Sequence, residues 1–289
     1  MEVTLLGTGS SHGVPVLGCG CATCERARER DIERMRFSVH VRNERTDEAL
    51  LVDASPDLKR QLAQRDVSFP NELLVTHMHF DHHTGLGELD GIVDSLPVHA
   101  ADDTGISVPD PAAGARSVAE AIEDRYGYTN LSVVDHTPLS RFRTCGLDVT
   151  LVRVEHGTIP CYGLAVEDPE TDAKLAISGD TSYAIPEQSR VALADPDLLV
   201  AAAAVPASVH EAVPDGRIED TGQRPDGDHH DEDGVPRSLF GRQMTREGAI
   251  ALGEELDAET TRLVHATHYY PVEEAFVEPL ATDGERHTV

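Results

Sequence analysis

The stretch Asn71-Glu-Leu-Leu-Val-Thr-His77-Met-His79-Phe-Asp81-His82-His83-Thr-Gly85 changes abruptly from apolar to histidine-rich. Its first part, Glu72 to Thr76, is short, apolar and β-branched at its end, which predicts a buried strand. Because side chains alternate along an extended chain, His77, His79 and Asp81 should leave this strand on one side. The pattern therefore predicts a cluster of polar side chains at a strand end.

These residue types favour a metal site. Imidazole and carboxylate groups are ligands that Zn²⁺ and similar divalent ions prefer, and His82 can turn toward a second ion about 3.5–4 Å from the first. The alternative is a polar loop with surface histidines. However, four imidazoles and a carboxylate within seven residues at the end of a buried strand need partners. The stretch therefore predicts a site for two metals.

Composition limits the class of protein. A chain of 289 residues fits one large α/β domain or two small ones, and its net charge of −28 comes from 52 acidic and 24 basic residues. Only Lys59 and Lys174 are lysines. Self-repulsion of so many carboxylates costs stability in dilute buffer, but in molar salt the Debye length falls to about 3 Å and the cost largely vanishes. The composition indicates a halophilic protein from a salt-rich cytoplasm.

Several partners are disfavoured. The N-terminus lacks a cationic region ahead of an apolar run, and no apolar stretch reaches the ~20 residues of a membrane span, so we expect a cytoplasmic protein with no membrane partner. No basic nucleic-acid patch is evident, but net charge alone does not exclude a small local one. The sequence leaves open a homodimer.

Three further strand predictions end in candidate ligands. Leu147 to Val154 alternates and leads to His156, and Ala173 to Ile177 leads to Asp180 in Ser178-Gly-Asp180. An Asp beside a Gly at a strand end can approach two cations and bridge them. Arg262 to Ala266 is predicted as the final strand, followed by His268. Asp53, which follows the apolar run Ala49 to Val52, either orients a ligand imidazole or only forms a turn.

A cysteine cluster, Cys19-Gly-Cys21-Ala-Thr-Cys24, lies near the N-terminus. Three thiolates this close suit a tetrahedral structural zinc, which needs a fourth ligand from elsewhere in the chain. The alternative is three reduced thiols without a metal. Cys145 and Cys161 are isolated, so the five cysteines fit metal binding better than a disulfide framework.

The His77-x-His79-x-Asp81-His82 pattern resembles the signature of the metallo-β-lactamase superfamily. Together with Gly7-Thr-Gly-Ser-Ser-His-Gly-Val-Pro15 and the cysteine cluster, it looks like the branch that contains phosphoribosyl cyclic-phosphodiesterase and ribonuclease Z. His79, in place of a Glu, favours hydrolysis over the oxygen-reducing diiron chemistry of another branch. The resemblance implies an α/β fold: a four-layer αββα sandwich, with two mixed sheets flanked by helices. Strand groups followed by helices in both halves favour the same layering.

The resemblance also implies a ligand set for two divalent ions, zinc or manganese. His77, His79 and His156 would hold the first ion, Asp81, His82 and His268 the second, with Asp180 bridging. In that branch the fourth ligand of the structural zinc is a His three residues after the last catalytic-site His. That position is Pro271 here, so His265 or His12 would have to complete the site with Cys19, Cys21 and Cys24.

The implied function is hydrolysis of a small nucleotide-like or cyclic phosphodiester by water activated on the metals. Zinc can lower the pKa of bound water to about 7. Asp81 and Gln243 are the candidate catalytic residues. Gln243 stands where the branch has a His that helps the leaving group, and a glutamine cannot supply that proton. Either His229 or His230 substitutes, or the chemistry differs.

Three other functions stay open: a tRNA-processing endonuclease, which would need a cationic RNA-gripping arm, a thioester or lactam hydrolase, and a metal-binding module without turnover. For the remaining organisation we expect a single domain, residues 1–289, with an acidic loop insertion at about 207–239. A helix is predicted from Thr245 to about Leu256, where Thr245 is the N-cap. Another is predicted from Gly85 to Ser95.

Overall fold

Two β-sheets form the centre of the protein. The computed structural model describes residues 1–103, 116–212 and 229–289. In spatial order, the first sheet contains β15 (Glu285–Thr288), β1 (Glu2–Gly7), β2 (Ser38–Asn43), β3 (Glu48–Val52), β4 (Glu72–Val75), β5 (Leu96–Ala101) and β6 (Leu131–His136). The second contains β14 (Thr260–Val264), β11 (Leu198–Ala202), β10 (Lys174–Ile177), β9 (Cys161–Glu167), β8 (Leu147–Val154) and β7 (Arg141–Thr144). A separate hairpin consists of β12 (Ser238–Leu239) and β13 (Gln243–Met244).

Both sheets are mixed. In the first sheet β15, β1, β2 and β3 pair antiparallel, whereas β3, β4, β5 and β6 are parallel. In the second, β7 to β10 pair antiparallel, and β10, β11 and β14 are parallel. Parallel pairing brings the carboxyl ends of neighbouring strands to the same edge of a sheet.

Seven α-helices lie in the described ranges, and four of them pack on the sheets. The seven are α1 (Ala22–Glu29), α2 (Leu58–Gln64), α3 (Phe80–His83), α4 (Val118–Tyr126), α5 (Glu187–Leu193), α6 (Ala207–Ala212) and α7 (Arg246–Glu255). Of these, α2 and α4 pack on the first sheet, and α5 and α7 pack on the second. None of the helices in the described ranges is both long and apolar enough to cross a membrane.

Alternation along the strands separates two apolar cores. In β9, Leu164 and Val166 pack in the core that contains the residues of the first sheet, whereas Ala165 packs in the core that contains Leu252 of α7. One face of the second sheet therefore contacts the first sheet and the other contacts helices. The layers run helix, sheet, sheet, helix, and the predicted αββα sandwich is confirmed.

Two local predictions have different outcomes. Thr245 caps α7, with its hydroxyl accepting a hydrogen bond from Gly248 N, as predicted. The prediction of a helix from Gly85 to Ser95 is wrong, because only a 3-10 helix at Thr84–Leu89 follows α3. Glycines at 85, 87 and 91 disfavour a longer helix.

The predicted acidic insertion at 207–239 lies partly outside the described residues, since 213–228 are not among them. Its described ends form α6 and the strand β12.

Candidate metal centre

Five strands lead polar side chains to one edge of the sandwich. In the first sheet, β3 and β4 are followed by Asp53 and His77. In the second, β8, β10 and β14 are followed by His156, Asp180 and His265. The side chains of all five residues are buried.

One cluster is built from His77, His79, His156 and Asp180, whose ligand atoms all lie within 4.8 Å of one another. His77 Nε2 is 2.9 Å from His79 Nδ1, which is 3.0 Å from His156 Nε2. Three imidazole nitrogens around a common point are the arrangement that a divalent ion requires.

A second cluster adjoins the first and contains Asp81, His82 and His265. Asp180 lies between the two clusters, because its Oδ2 is 3.2 Å from His265 Nε2, 3.7 Å from His82 Nε2 and 4.0 Å from His156 Nε2. This is where a carboxylate must lie to bridge two ions.

Unpaired polar atoms show that the donor set fits metal ions. His82 Nε2 and both ring nitrogens of His265 are buried and make no hydrogen bond of ordinary geometry within the described ranges, and the only groups near the two Nε2 atoms there are the carboxylates of Asp81 and Asp180, at 3.2 to 3.7 Å. A buried nitrogen without a partner is costly, whereas neutral imidazole is a good ligand for divalent ions. The second cluster therefore fits one ion, and the three converging imidazole nitrogens of the first cluster fit another.

Asp53 orients one of these imidazoles. Its Oδ2 is 2.6 Å from His82 Nδ1, which leaves Nε2 directed toward Asp81 and Asp180. The same carboxylate accepts hydrogen bonds of 2.8 Å from both the amide and the hydroxyl of Thr76. Of the two interpretations of Asp53, the structure supports the orienting one.

The ionisable groups around the centre shift each other's pKa values. Burial lowers the pKa of His77 well below its usual value, and the neighbouring imidazoles add to this. Burial would raise the pKa of Asp180, but His265, His82 and His156 outweigh it and hold the pKa low. The centre therefore presents a neutral imidazole and an anionic carboxylate, the forms that bind metals.

His82 behaves differently in the protein without ions. Burial would lower its pKa, yet the carboxylates of Asp53 and Asp180 outweigh burial and raise the pKa well above its usual value. An ion bound at Nε2 must displace that proton, so metal binding at this cluster releases a proton.

The cysteine cluster is completed by His268. His268 Nδ1 is 3.3 Å from Cys19 Sγ and 3.6 Å from both Cys21 Sγ and Cys24 Sγ. A tetrahedral zinc with ordinary bond lengths separates sulfur and nitrogen ligands by about 3.6 Å. The four atoms therefore match a structural zinc site.

This arrangement corrects the assignment of two histidines. His268 does not join Asp81 and His82, and His265 takes that place instead. The prediction that the final strand continues to Ala266 is wrong, since β14 ends at Val264 and His265 turns away with φ of 59°. We call the two adjoining clusters, His77, His79, His156 and Asp180 with Asp81, His82 and His265, the paired centre. His268 lies three residues after His265, the last histidine of the paired centre, so neither Pro271 nor His12 is needed. The sequence signal for the correct assignment was the His265-x-x-His268 spacing, because it matches the separation of three residues that the resemblance implies for these two histidines.

Gln243 lies at the paired centre. Its Nε2 donates a 2.8 Å hydrogen bond to Asp180 Oδ2, and the carbonyl oxygen of the preceding residue, Arg242, is 2.7 Å from His156 Nδ1. His229 and His230 lie in the neighbouring segment, where His230 bridges to Pro236. The segment before α7 thus contacts two candidate ligands, Asp180 and His156, whereas the resemblance had indicated only that Gln243 lies at the site.

The chain is similar to known proteins over this same region. A family model described as a beta-lactamase superfamily domain matches residues 48–266. That range contains both clusters of the paired centre, from His77 to His265.

Curated relatives match only segments. An octanoyltransferase from Porphyromonas gingivalis is 30% identical over 178 residues, which are 57% of this chain and 33% of the relative. A coenzyme PQQ synthesis protein B from Rhodopseudomonas palustris is 40% identical over 63 residues, which are 22% of this chain and 20% of the relative. The chain thus spans a third or less of the length of these two relatives.

Solved structures match the whole fold. A diphosphatase from the PhnP family has a TM-score of 0.72 at 21% identity, covering 100% of this chain and 97% of that one. Zinc-bound PqqB from Methylobacterium extorquens has a TM-score of 0.74 at 18% identity, and both chains are covered completely. The short form of human tRNase Z has a TM-score of 0.64 at 17% identity, with coverage of 100% and 99%. Since the family model covers more than half of the sequence, the chain belongs to the metallo-β-lactamase superfamily.

Proposed function

We propose that this protein is a dinuclear metal-dependent hydrolase of small phosphodiesters. The observation that carries the proposal is the position of Asp180, whose Oδ2 lies within 4.0 Å of imidazoles from both clusters. A carboxylate shared between two imidazole clusters suits two ions that act together on one substrate.

The residues divide into two ligand groups. His77, His79 and His156 would hold one ion, Asp81, His82 and His265 the other, and Asp180 both. Two divalent ions bound there supply Lewis acidity and lower the pKa of water toward neutrality. Asp53 fixes the ring of His82, and Gln243 fixes the carboxylate of Asp180 through its amide hydrogen. These two contacts, made by residues that are not themselves ligands, limit movement of the ligands during a reaction.

Two observations support phosphodiesters as the substrate class. The N-terminal segment Gly7 to Pro15 and the cysteine cluster resemble the phosphodiesterase branch. Two proteins of similar fold are described as a diphosphatase and a tRNase Z. A tRNA-processing endonuclease, a thioester or lactam hydrolase and a module without turnover are the competing functions. A salt-rich cytoplasm and a homodimer remain predictions from the sequence.

The proposal is tested by loading the chain with zinc or manganese and measuring the hydrolysis of bis(p-nitrophenyl) phosphate, p-nitrophenyl phosphate and a thioester. We expect hydrolysis of the diester above the other two. His79→Ala should lose both bound metal and activity, because water alone does not replace an imidazole ligand.

His287→Ala is the matched control, since His287 lies on β15 with Glu285 as its partner. It should keep metal content and activity. Retention of two ions in His79→Ala would reject the ligand assignment. Turnover of the thioester without turnover of the diester would reject phosphodiesters as the substrate class.

A further inference from the structure

The β12–β13 hairpin holds its last turn residue beside the metal centre. Arg242 N donates a 3.1 Å hydrogen bond to Leu239 O, and the two residues between them, Phe240 and Gly241, have φ of 54° and 62°. Positive φ at both central positions is the geometry of a type I′ turn, which joins short antiparallel strands. The turn therefore fixes the backbone at Arg242.

The other side of Arg242 is fixed by the candidate ligands. Its carbonyl oxygen is 2.7 Å from His156 Nδ1, and the next residue, Gln243, contacts Asp180. Arg242 thus adjoins ligands of the paired centre without itself being one.

The side chain of Arg242 packs over Gly157, the residue that follows His156. A Cβ built on Gly157 would lie 2.9 Å from Arg242 Nε and 3.1 Å from its Cγ, so a larger residue at position 157 would displace the arginine side chain. The residue is exposed, and its guanidinium makes no ion pair or hydrogen bond to any residue in the described ranges. The stem is therefore packed while the charged end stays available.

In a chain of net charge −28, an arginine without a carboxylate partner leaves its charge for another anion. Guanidinium groups bind phosphate oxygens with two parallel hydrogen bonds, which makes them selective for charged phosphates over neutral esters. Divalent ions at the two metal positions would polarise carbonyl and phosphoryl oxygens alike, so a guanidinium beside them would add a preference for the charged ester.

We propose that Arg242 binds a phosphate oxygen of the substrate and sets a preference for phosphate esters over neutral esters. This inference rests on the proposed hydrolysis of phosphodiesters and names the residue that selects the substrate by its charge.

The test uses the zinc-loaded chain and three variants. Arg242→Met keeps the stem over Gly157 and removes the charge, and Arg242→Lys keeps the charge without the two-pronged geometry. Arg143→Met removes the same charge from an exposed residue of β7, on the far edge of the second sheet. The value of kcat/KM is measured for bis(p-nitrophenyl) phosphate and for neutral p-nitrophenyl acetate, and the Kd of thymidine 5′-monophosphate is measured by calorimetry at fixed ionic strength.

For Arg242→Met we expect kcat/KM for the diester and the affinity for the nucleotide each to fall at least about tenfold, since hydrogen bonds to charged groups are strong. The acetate rate should stay within about twofold, which is small beside that loss. Arg242→Lys should be intermediate, and Arg143→Met should match the wild type.

Equal losses on both esters, or an unchanged nucleotide affinity, would overturn the proposal, because Arg242 would then only support the His156 loop. The binding arm separates this inference from the hydrolase proposal. If the wild type hydrolyses neither ester but Arg242→Met still weakens nucleotide binding, Arg242 is a phosphate-binding residue and the hydrolase proposal fails.

Discussion

At the residue scale, two histidines three positions apart serve different clusters. His265 leaves β14 with positive φ and meets Asp81 and Asp180, whereas His268 meets the three cysteines. The two sites therefore share one short connection, and a change in either histidine should affect a different metal.

We expect His265→Ala to lose one ion of the paired centre and to keep the cysteine-bound zinc. His268→Ala should lose the cysteine-bound zinc and keep the pair, because three thiolates alone do not complete a tetrahedral site. Metal content per chain, measured by mass spectrometry after dialysis, checks both variants. The reverse pattern of losses would restore the assignment of His268 to the paired centre.

The predicted and observed ligand sets of the paired centre differ at one position, where His265 replaces His268. His77, His79, Asp81 and His82 lie in one contiguous motif, so their spacing alone predicts that they converge. The place of His265 depends on where β14 ends, and that is set by pairing of Val264 with Ala202 of β11. The spacing of residues in a single sequence does not predict which distant segments pair, and so it does not predict where β14 ends.

The next prediction concerns the proton that the leaving group needs and the role of Gln243. With an amide at this position, a departing alkoxide must leave without a proton from an imidazole, while a p-nitrophenolate needs little help. Gln243→His should therefore raise the rate on unactivated alkyl diesters by up to ~10²-fold and change the rate on bis(p-nitrophenyl) phosphate little. Steady-state kinetics on both substrates measure the difference.

Equal gains on the two substrates would mean that residue 243 only positions the phosphate or Asp180. If the alkyl rate does not rise, and a His229→Ala/His230→Ala double variant loses it, the proton comes from those two histidines. The sequence identified Gln243 as a departure from the family pattern, but its contact with Asp180 emerged only from the fold.

At the element scale, the 3-10 helix at Thr84–Leu89 is packed directly on the loop after β3. A Cβ on Gly85 would lie 2.2 Å from Ser55 O and 2.9 Å from Ala54 O. This close approach brings the motif helix α3, which carries His82, against the loop that begins with Asp53. The close approach requires glycine at position 85, and glycine disfavours the α-helix that the sequence predicted here.

Gly85→Ala should therefore lower the free energy of unfolding by about 1–3 kcal/mol, the usual cost of overpacking a tight contact. It should also weaken the metal held by His82, because the backbone must move away from Asp53. Urea unfolding and metal titration give the two readouts.

The matched control is Gly87→Ala in the same segment. A Cβ there would meet its nearest neighbour, Tyr126, at 3.8 Å, an ordinary contact. Its stability should stay within about 1 kcal/mol of the wild type. Equal destabilisation by the two substitutions would show that loss of glycine flexibility matters here and that the close approach does not.

At the scale of the whole molecule, charge is unevenly balanced. Ion pairs such as Arg36 with Asp57 and Arg262 with Glu285 neutralise individual carboxylates. With 52 acidic and 24 basic residues, however, most acidic side chains have no cation to pair with. The residual repulsion acts between many exposed carboxylates, and salt screens such interactions over about 8–10 Å at ordinary ionic strength and about 3 Å at 1 M.

We therefore expect the Tm of the metal-loaded chain to rise by about 10 °C or more between dilute buffer and 2 M potassium chloride. At about 2–4 °C per kcal/mol for a chain near this size, such a rise corresponds to several kcal/mol of relieved repulsion. Differential scanning calorimetry at several salt concentrations measures it, and most of the rise should occur below 1 M, where the Debye length shortens fastest.

Two controls separate screening from a general strengthening of apolar burial. Sucrose strengthens burial without screening charge, so it should raise the Tm much less than salt at concentrations of equal osmolality. Changing Glu123, Glu254 and Glu273 together to Gln, which are exposed and have no ion pair with any residue in the described ranges, should raise the Tm in dilute buffer and reduce its dependence on salt, because fewer like charges then need to be screened. A Tm that stays flat from dilute buffer to 2 M salt would contradict the halophile interpretation, since the acidic surface would then carry no measurable repulsive cost.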